Sequence, residues 1–209
     1  MSSKKPKLEV VDNDKAPDGR RQRSQRSREK ILRAYWELML EGDMTPSAAA
    51  IAEHAGVGLR SVFRHFEDLD MLLRELLALC YDEVTPEFMK PLQATNWKDQ
   101  LLELTERNVM IWERIIVPHT AGEIGRFKSQ VLMDDYKRSR NLEISSIRAI
   151  LPKDIDNYEK VLMALDAAMC FSTMRRLRKD RKLSIPEVKD VMTLMVKAII
   201  DGIDQSTSN

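Results

Sequence analysis

The stretch that most restricts this chain is "TPSAAAIAEHAGVGLRSVFRHF", positions 45–66. Two short runs of helix-forming residues are separated by little more than Gly56 and Gly58. So tight a turn makes the two helices cross steeply, and their backbones can meet only where a side chain is small. Ala52 meets that need, and Gly56 tolerates the positive φ that the turn demands. Ile51, Ala55, Val57, Val62 and Phe66 then fall where they pack inward. Leu59, Arg60, Ser61, Phe63, Arg64 and His65 are left toward the outside or the rim.

A phosphate-cradling nucleotide loop is excluded. "GVG" gives only Gly-x-Gly, Ser61 stands where a third glycine belongs, and no βαβ unit or Gly-Lys-Ser motif surrounds it. Two readings remain. Arg60 and Arg64 share one i, i+4 ridge beside an outward aromatic, which suits a helix offered to DNA. A solvated charged face gives the same spacing, so the pattern favours DNA contact without closing the question.

The chain has 209 residues, enough for one large domain or a small one joined to a larger. With 32% charged residues, 6% aromatics and seven glycines, the balance suits helices better than sheets. No apolar run approaches the ~18 residues of a membrane span. The first thirty residues lack the apolar core of a signal peptide, so a cytoplasmic location is expected. Cys80 and Cys170, far apart on helical stretches, read as free thiols.

Charge is unevenly spread. Residues 20–33 hold seven Lys or Arg against Glu29 alone, and residues 1–66 carry a net +4 while the rest carries −3. A basic front on a mildly acidic body points the front at a polyanion.

The periodicity predicts an all-α chain. Residues 1–22 read as a disordered basic arm. Residues 23–70 form a helix-turn-helix domain: a first helix from about Ser24 carries Ile31, Tyr35 and Met39 inward, with Leu32 and Trp36 widening the face. Gly42 closes it. Thr45 or Ser47 caps the second helix, the third covers about Leu59–His65, and the fourth starts at Asp68. Residues 71–209 form a larger helical domain, with further helices expected near 97–117, 126–151, 155–181 and 185–202. Pro118, Pro152 and Gly202 mark their ends. Ser184 and Glu187 form a capping box for the last.

The segment "SREKILRAYWELMLEGDMTPSAAAIAEHAGVGLRSVFRHFEDLDMLLREL" (27–76) resembles the N-terminal DNA-binding domain of the TetR/AcrR family of bacterial transcriptional regulators. "IAEHAGVG" and "SVFRHFEDLDMLL" keep that family's order and spacing over about fifty residues. The resemblance implies a homodimer whose third helices enter successive major grooves of a palindromic operator. It also implies a C-terminal domain for dimerisation and for a small-molecule effector. Arg60, Ser61 and Arg64 match positions that reach base edges, and Ser47 and His65 match positions that hold phosphates. Two departures remove backbone contacts: Phe63 stands for the family's tyrosine, and Leu69 for its lysine. The arginine-rich stretch Arg20, Arg21, Arg23 and Arg26 is a candidate to compensate by reaching phosphates or a minor groove. Leu59 and Phe63 can meet thymine methyls or bury the helix edge.

In the C-terminal part, Asn108, Trp112, Tyr136 and Cys170 are candidates to line an effector pocket, although aromatics at helical spacing are more often core. Ala164, Ala168, Val188, Met192, Met195 and Ile199 are candidates for a four-helix dimer interface, because small residues and wide apolar arcs let helices of two copies approach. No catalytic residue is assigned. His54, His65 and His119 have no metal-ligand spacing, no Gly-x-Ser-x-Gly elbow occurs, and no cofactor is implied. The expected function is a dimeric, ligand-responsive DNA-binding regulator, read as a repressor. A DNA-binding scaffold of the same fold without inducer control is the alternative, and an all-α enzyme a more distant one.

Overall fold

The structure, a computed structural model, describes residues 19–206. Helices account for the regular structure, and no strand occurs among the described residues. The elements are α1 (Gly19–Glu41), α2 (Ala48–Ala55), α3 (Leu59–His65), α4 (Leu69–Phe88), α5 (Trp97–Gly125), α6 (Gln130–Ile150), α7 (Tyr158–Met169), α8 (Phe171–Arg175), a π-helical turn (Arg176–Asp180) and α9 (Ile185–Ser206). None is long and apolar enough to cross a membrane.

The described residues divide into two compact units. The first takes those up to Glu83 together with Val117–Tyr136; the second takes Val84–Ile116 and those from Lys137 onward. The first unit therefore draws on residues well beyond the boundary near 70 that the sequence suggests. Its core joins Ile31, Leu32, Tyr35 and Met39 of α1, Ile51 and Ala52 of α2, Val62 of α3, Phe66, and Leu72, Leu73, Leu76 and Leu77 of α4 to Ala121 and Leu132. Gly125 permits that closure, since a Cβ there would stand 2.6 Å from Leu132 Cδ1. Arg74 Nε donates to Asp135 Oδ2 at 3.0 Å on the same unit.

The second unit closes around Leu101 and Leu104 of α5, Ile147 of α6, Leu151, Leu162, Leu165, Ala168 and Met169 of α7, and Val196 and Ile200 of α9. Arg178 donates to both carboxylate oxygens of Glu113 and to the Leu183 carbonyl, which fastens the turn before α9. Ser184 and Glu187 cap α9 reciprocally: the Ser184 backbone N–H donates to Glu187 Oε2 at 2.7 Å. Those donors hold the Glu187 carboxyl below the usual range, the Ser184 hydroxyl first and its backbone N–H second.

Three expectations need correction. α1 begins at Gly19, so Gly19–Gln22 are helical rather than part of an arm; residues 1–18 lie outside the described residues. Arg and Gln are good helix formers, which lets the helix extend ahead of its core-facing residues. Pro118 does not end α5, which runs on to Gly125. Losing one backbone bond at an interior proline costs about 3 kcal/mol. Burial of Ile115, Ile116, His119 and Ala121 on either side holds the helix together. The single helix expected at 155–181 is broken at Cys170, which is extended (φ −80°, ψ 159°). There Thr173 Oγ1 turns back to donate to the Ala167 carbonyl at 2.6 Å, competing with continued helix. The break turns Phe171 into the core, edge-on to Trp112 at 6.1 Å between ring centroids.

Candidate nucleic-acid interface

Local chemistry sets the pose of α2 and α3. Ser47, not Thr45, caps α2: its side chain accepts the Ala50 backbone N–H at 3.2 Å. Gly56 closes the helix in the left-handed region (φ 64°), its N–H turned to the Ala52 and Glu53 carbonyls. Val57 N–H also reaches the Ala52 carbonyl, at 3.0 Å. α3 opens at Gly58 and ends where Phe66 N–H meets the Val62 carbonyl. Beyond it, Asp68 Oδ1 accepts the Met71 N–H at 2.7 Å and starts α4.

The inward face of α3 is fixed. Val62 is fully buried and Phe66 nearly so. Arg28 of α1 donates two hydrogen bonds to the two carboxylate oxygens of Glu75 on α4. Its guanidinium carbon also lies 4.9 Å from the centre of the Phe66 ring. One arginine thus ties α1, α4 and the end of α3 together, a contact between residues 47 positions apart that spacing does not announce. A smaller brace joins His54 of α2 to Glu37 of α1 at 3.2 Å.

The outward face is open. Leu59 is 47% and Phe63 51% exposed, and Arg60 and Arg64 are exposed beside them. Among the described residues no carboxylate pairs with either arginine. Arg64 has one long hydrogen bond, 3.4 Å to the Ser61 hydroxyl. Two guanidiniums with unused donors on one ridge can make bidentate bonds to guanine edges or to phosphate. Ser47 is exposed at the α2 N-terminus, where its hydroxyl can still donate while its oxygen caps the helix. Arg21, Arg23 and Arg26 are exposed on the first turns of α1, with Arg23 Nε donating to the Gly19 carbonyl at 3.0 Å. The Arg20 side chain lies outside the described residues.

His65 is half-buried at the end of α3. Its Nε2 is shut away from solvent and meets no hydrogen-bond partner among the described residues. Burial foremost, then Arg64 and Arg28, lowers the imidazole pKa below its ordinary value, so the ring is neutral near pH 7. A phosphate contact through this residue is open only to the other ring nitrogen.

The remaining candidates separate. Tyr136 lies in the first unit, where Arg126 sits 4.3 Å over its ring and 4.3 Å over that of Phe127. Asn108, Trp112 and Cys170 lie buried in the second. Asn108 Oδ1 is buried with no hydrogen-bond partner among the described residues. Of the dimer candidates, Ala168, Val188 and Met192 are buried within their own chain, Ile199 is half-buried, and Ala164 and Met195 are exposed. No group of His, Cys, Asp and Glu among the described residues could hold a metal ion.

The fold resembles that of solved transcriptional regulators. A transcriptional regulator from Rhodococcus sp. Rha1 superposes with a TM-score of 0.63 at 15% identity, covering 86% of this chain and 96% of its own. A TetR-like transcriptional regulator from Rhodococcus sp. RHA1 gives 0.61 at 14%, covering 86% and 96%. A TetR transcriptional regulator from the same source gives 0.51 at 19%, covering 85% and 97%. No protein-family model and no curated protein matches the sequence. The chain has the fold of the TetR-family transcriptional regulators.

Proposed function

We propose that this chain is a sequence-specific DNA-binding transcriptional regulator, acting as a homodimer on a palindromic operator in the cytoplasm. The observation that carries the reading is the outward face of α3. Arg60 and Arg64 are exposed one turn apart without carboxylate partners among the described residues, on a helix whose other face is locked by Val62, Phe66 and Arg28. A helix kept rigid on one side and cationic on the other is built to enter a major groove. Arg60, Ser61 and Arg64 read base edges, Leu59 and Phe63 line the rim, and Ser47 with Arg21, Arg23 and Arg26 meets phosphates. The rim leucine and phenylalanine also offer apolar contact to thymine methyls.

The regulator acts as a repressor released by a small molecule. Release requires the effector to favour a dimer whose recognition helices no longer sit about 34–36 Å apart. Asn108 supports an effector site in the second unit. Its Oδ1 is buried with no donor among the described residues, so a ligand N–H or O–H could bond to it there. No catalytic activity is assigned.

The test is selection of bound duplexes from a random pool by the purified full chain, followed by sequencing. The reading predicts one inverted repeat with half-sites a helical turn apart. Enrichment of direct repeats, or of no sequence at all, would overturn it.

A further inference from the structure

Six of the eight residues in "RRLRKDRK" (175–182) are basic, against Asp180 alone, although residues 67–209 together carry a net −3. The π-helical turn (Arg176–Asp180) decides how these charges meet. Its Arg181 N–H bonds to the Arg176 carbonyl at 3.0 Å, an i→i+5 bond that stacks residues five apart. In ordinary α-winding Arg176 would lie over Lys179 and Asp180, and the carboxylate would offset its charge. Asp180 goes instead to Arg175, at 3.5 Å, and Arg176 stands one turn from a like charge, Arg181.

The turn is firmly fastened. Arg178 is spent on Glu113 and the Leu183 carbonyl, and Leu183 N–H returns to the Leu177 carbonyl at 3.2 Å. Lys182 is held in the left-handed region (φ 57°), which a lysine seldom adopts. Arg176, Lys179, Arg181 and Lys182 are exposed, and no carboxylate among the described residues pairs with them. Cations so crowded repel one another, and an anion seated among them relieves that repulsion. The surroundings limit its size. Asp180, Glu187 and Asp190 are exposed within and just after the cluster, and Glu106 lies 3.6 Å from Lys189. A duplex or a membrane would lay its own charge against these carboxylates as well. A compact anion of high charge density meets the cations alone.

We infer that the 175–182 turn binds a small ligand bearing linked phosphates, a di- or triphosphate group. Arg176 and Arg181 grip successive phosphates, since a guanidinium fork matches two phosphate oxygens at once. Lys179 and Lys182 add point charge beside them. The site shares no residue with the α3 face or with Asn108, and it does not rest on the DNA reading.

Isothermal titration calorimetry of the full chain with inorganic tripolyphosphate, at about 50 and about 300 mM salt, tests this. Binding of one anion per chain is expected, weaker with pyrophosphate, weaker again with orthophosphate, and weaker for each at the higher salt. Arg176→Gln with Arg181→Gln should weaken tripolyphosphate binding about tenfold or more at the lower salt. Arg33→Gln, which removes an exposed cation from α1, should leave it unchanged. If circular dichroism melting shows the double variant to be destabilised, Arg181→Gln alone serves instead and should weaken binding severalfold. A wild type that binds no tripolyphosphate, or variants that bind it as the wild type does, would overturn the inference. Variants that weaken binding to a duplex of arbitrary sequence but not to tripolyphosphate would also overturn it, and make the turn a nucleic-acid backbone contact.

Discussion

Replacing Arg28 by Ala should loosen the scaffold that holds α3. The side chain makes two kinds of contact, the forked bond to Glu75 and the approach to the Phe66 ring. Its own exposure is 36% and that of Glu75 27%, so water screens the pair in part. Exposed pairs contribute about 0.2–1 kcal/mol, and a forked, two-thirds-covered one belongs near the top of that range. The cation over the ring adds about 0.5–1 kcal/mol, and the aliphatic stem some packing. Arg28→Ala should therefore cost about 2 kcal/mol, and Glu75→Ala about 1 kcal/mol. In a urea-denaturation cycle at fixed protein concentration, the coupling between the two should be about 1 kcal/mol. Arg28→Lys should recover little, because a lysine cannot span both carboxylate oxygens. If Arg28→Ala costs no more than the exposed Arg33→Ala, or the cycle shows no coupling, the brace is not what holds these helices.

Gly56→Ala should cost about 1–2 kcal/mol by strain alone, since a Cβ there meets nothing within 4 Å but the backbone is left-handed. Gly58→Ala, at φ −68° and equally open, should be close to neutral, and thermal melting of the two variants makes the comparison. Phe63→Tyr should tighten DNA binding by returning a hydroxyl to an exposed ring, read by fluorescence anisotropy on the selected duplex. The lowered Glu187 pKa means that its contribution to stability is present above the unfolded carboxyl value and is lost as pH falls through the folded one. The melting temperatures of wild type and Glu187→Gln should accordingly converge on acidification from pH about 5 to about 3.

The helix-turn-helix was legible because its determinants are local. Ser47, Ala52, Gly56, Val62 and Phe66 each act within a few residues, and capping, positive φ and i, i+4 burial are written in consecutive sequence. What was not legible depends on distance in the chain. Nothing in the spacing marks Arg28 for Glu75, or Arg74 for Asp135, since such pairs exist only once the helices have packed. Pro118 misled because local propensity forbids what burial on both sides overrides. Val188 and Met192 looked free for a second copy, but an apolar arc does not say which of two neighbours it faces; the structure spends them internally. Spacing puts His65 near the edge of α3, but which ring nitrogen is buried depends on the side-chain rotamer.

The central claim is that Arg64 reads sequence. Affinity of wild type and Arg64→Ala for the selected duplex and for single base-pair variants, across a salt series, tests it most directly. The account predicts a loss of about 1–3 kcal/mol per half-site, preference erased at one base pair of each half-site, and an unchanged salt slope. An equal loss on every sequence with a slope shallower by about one ion would make Arg64 a phosphate contact and contradict the account.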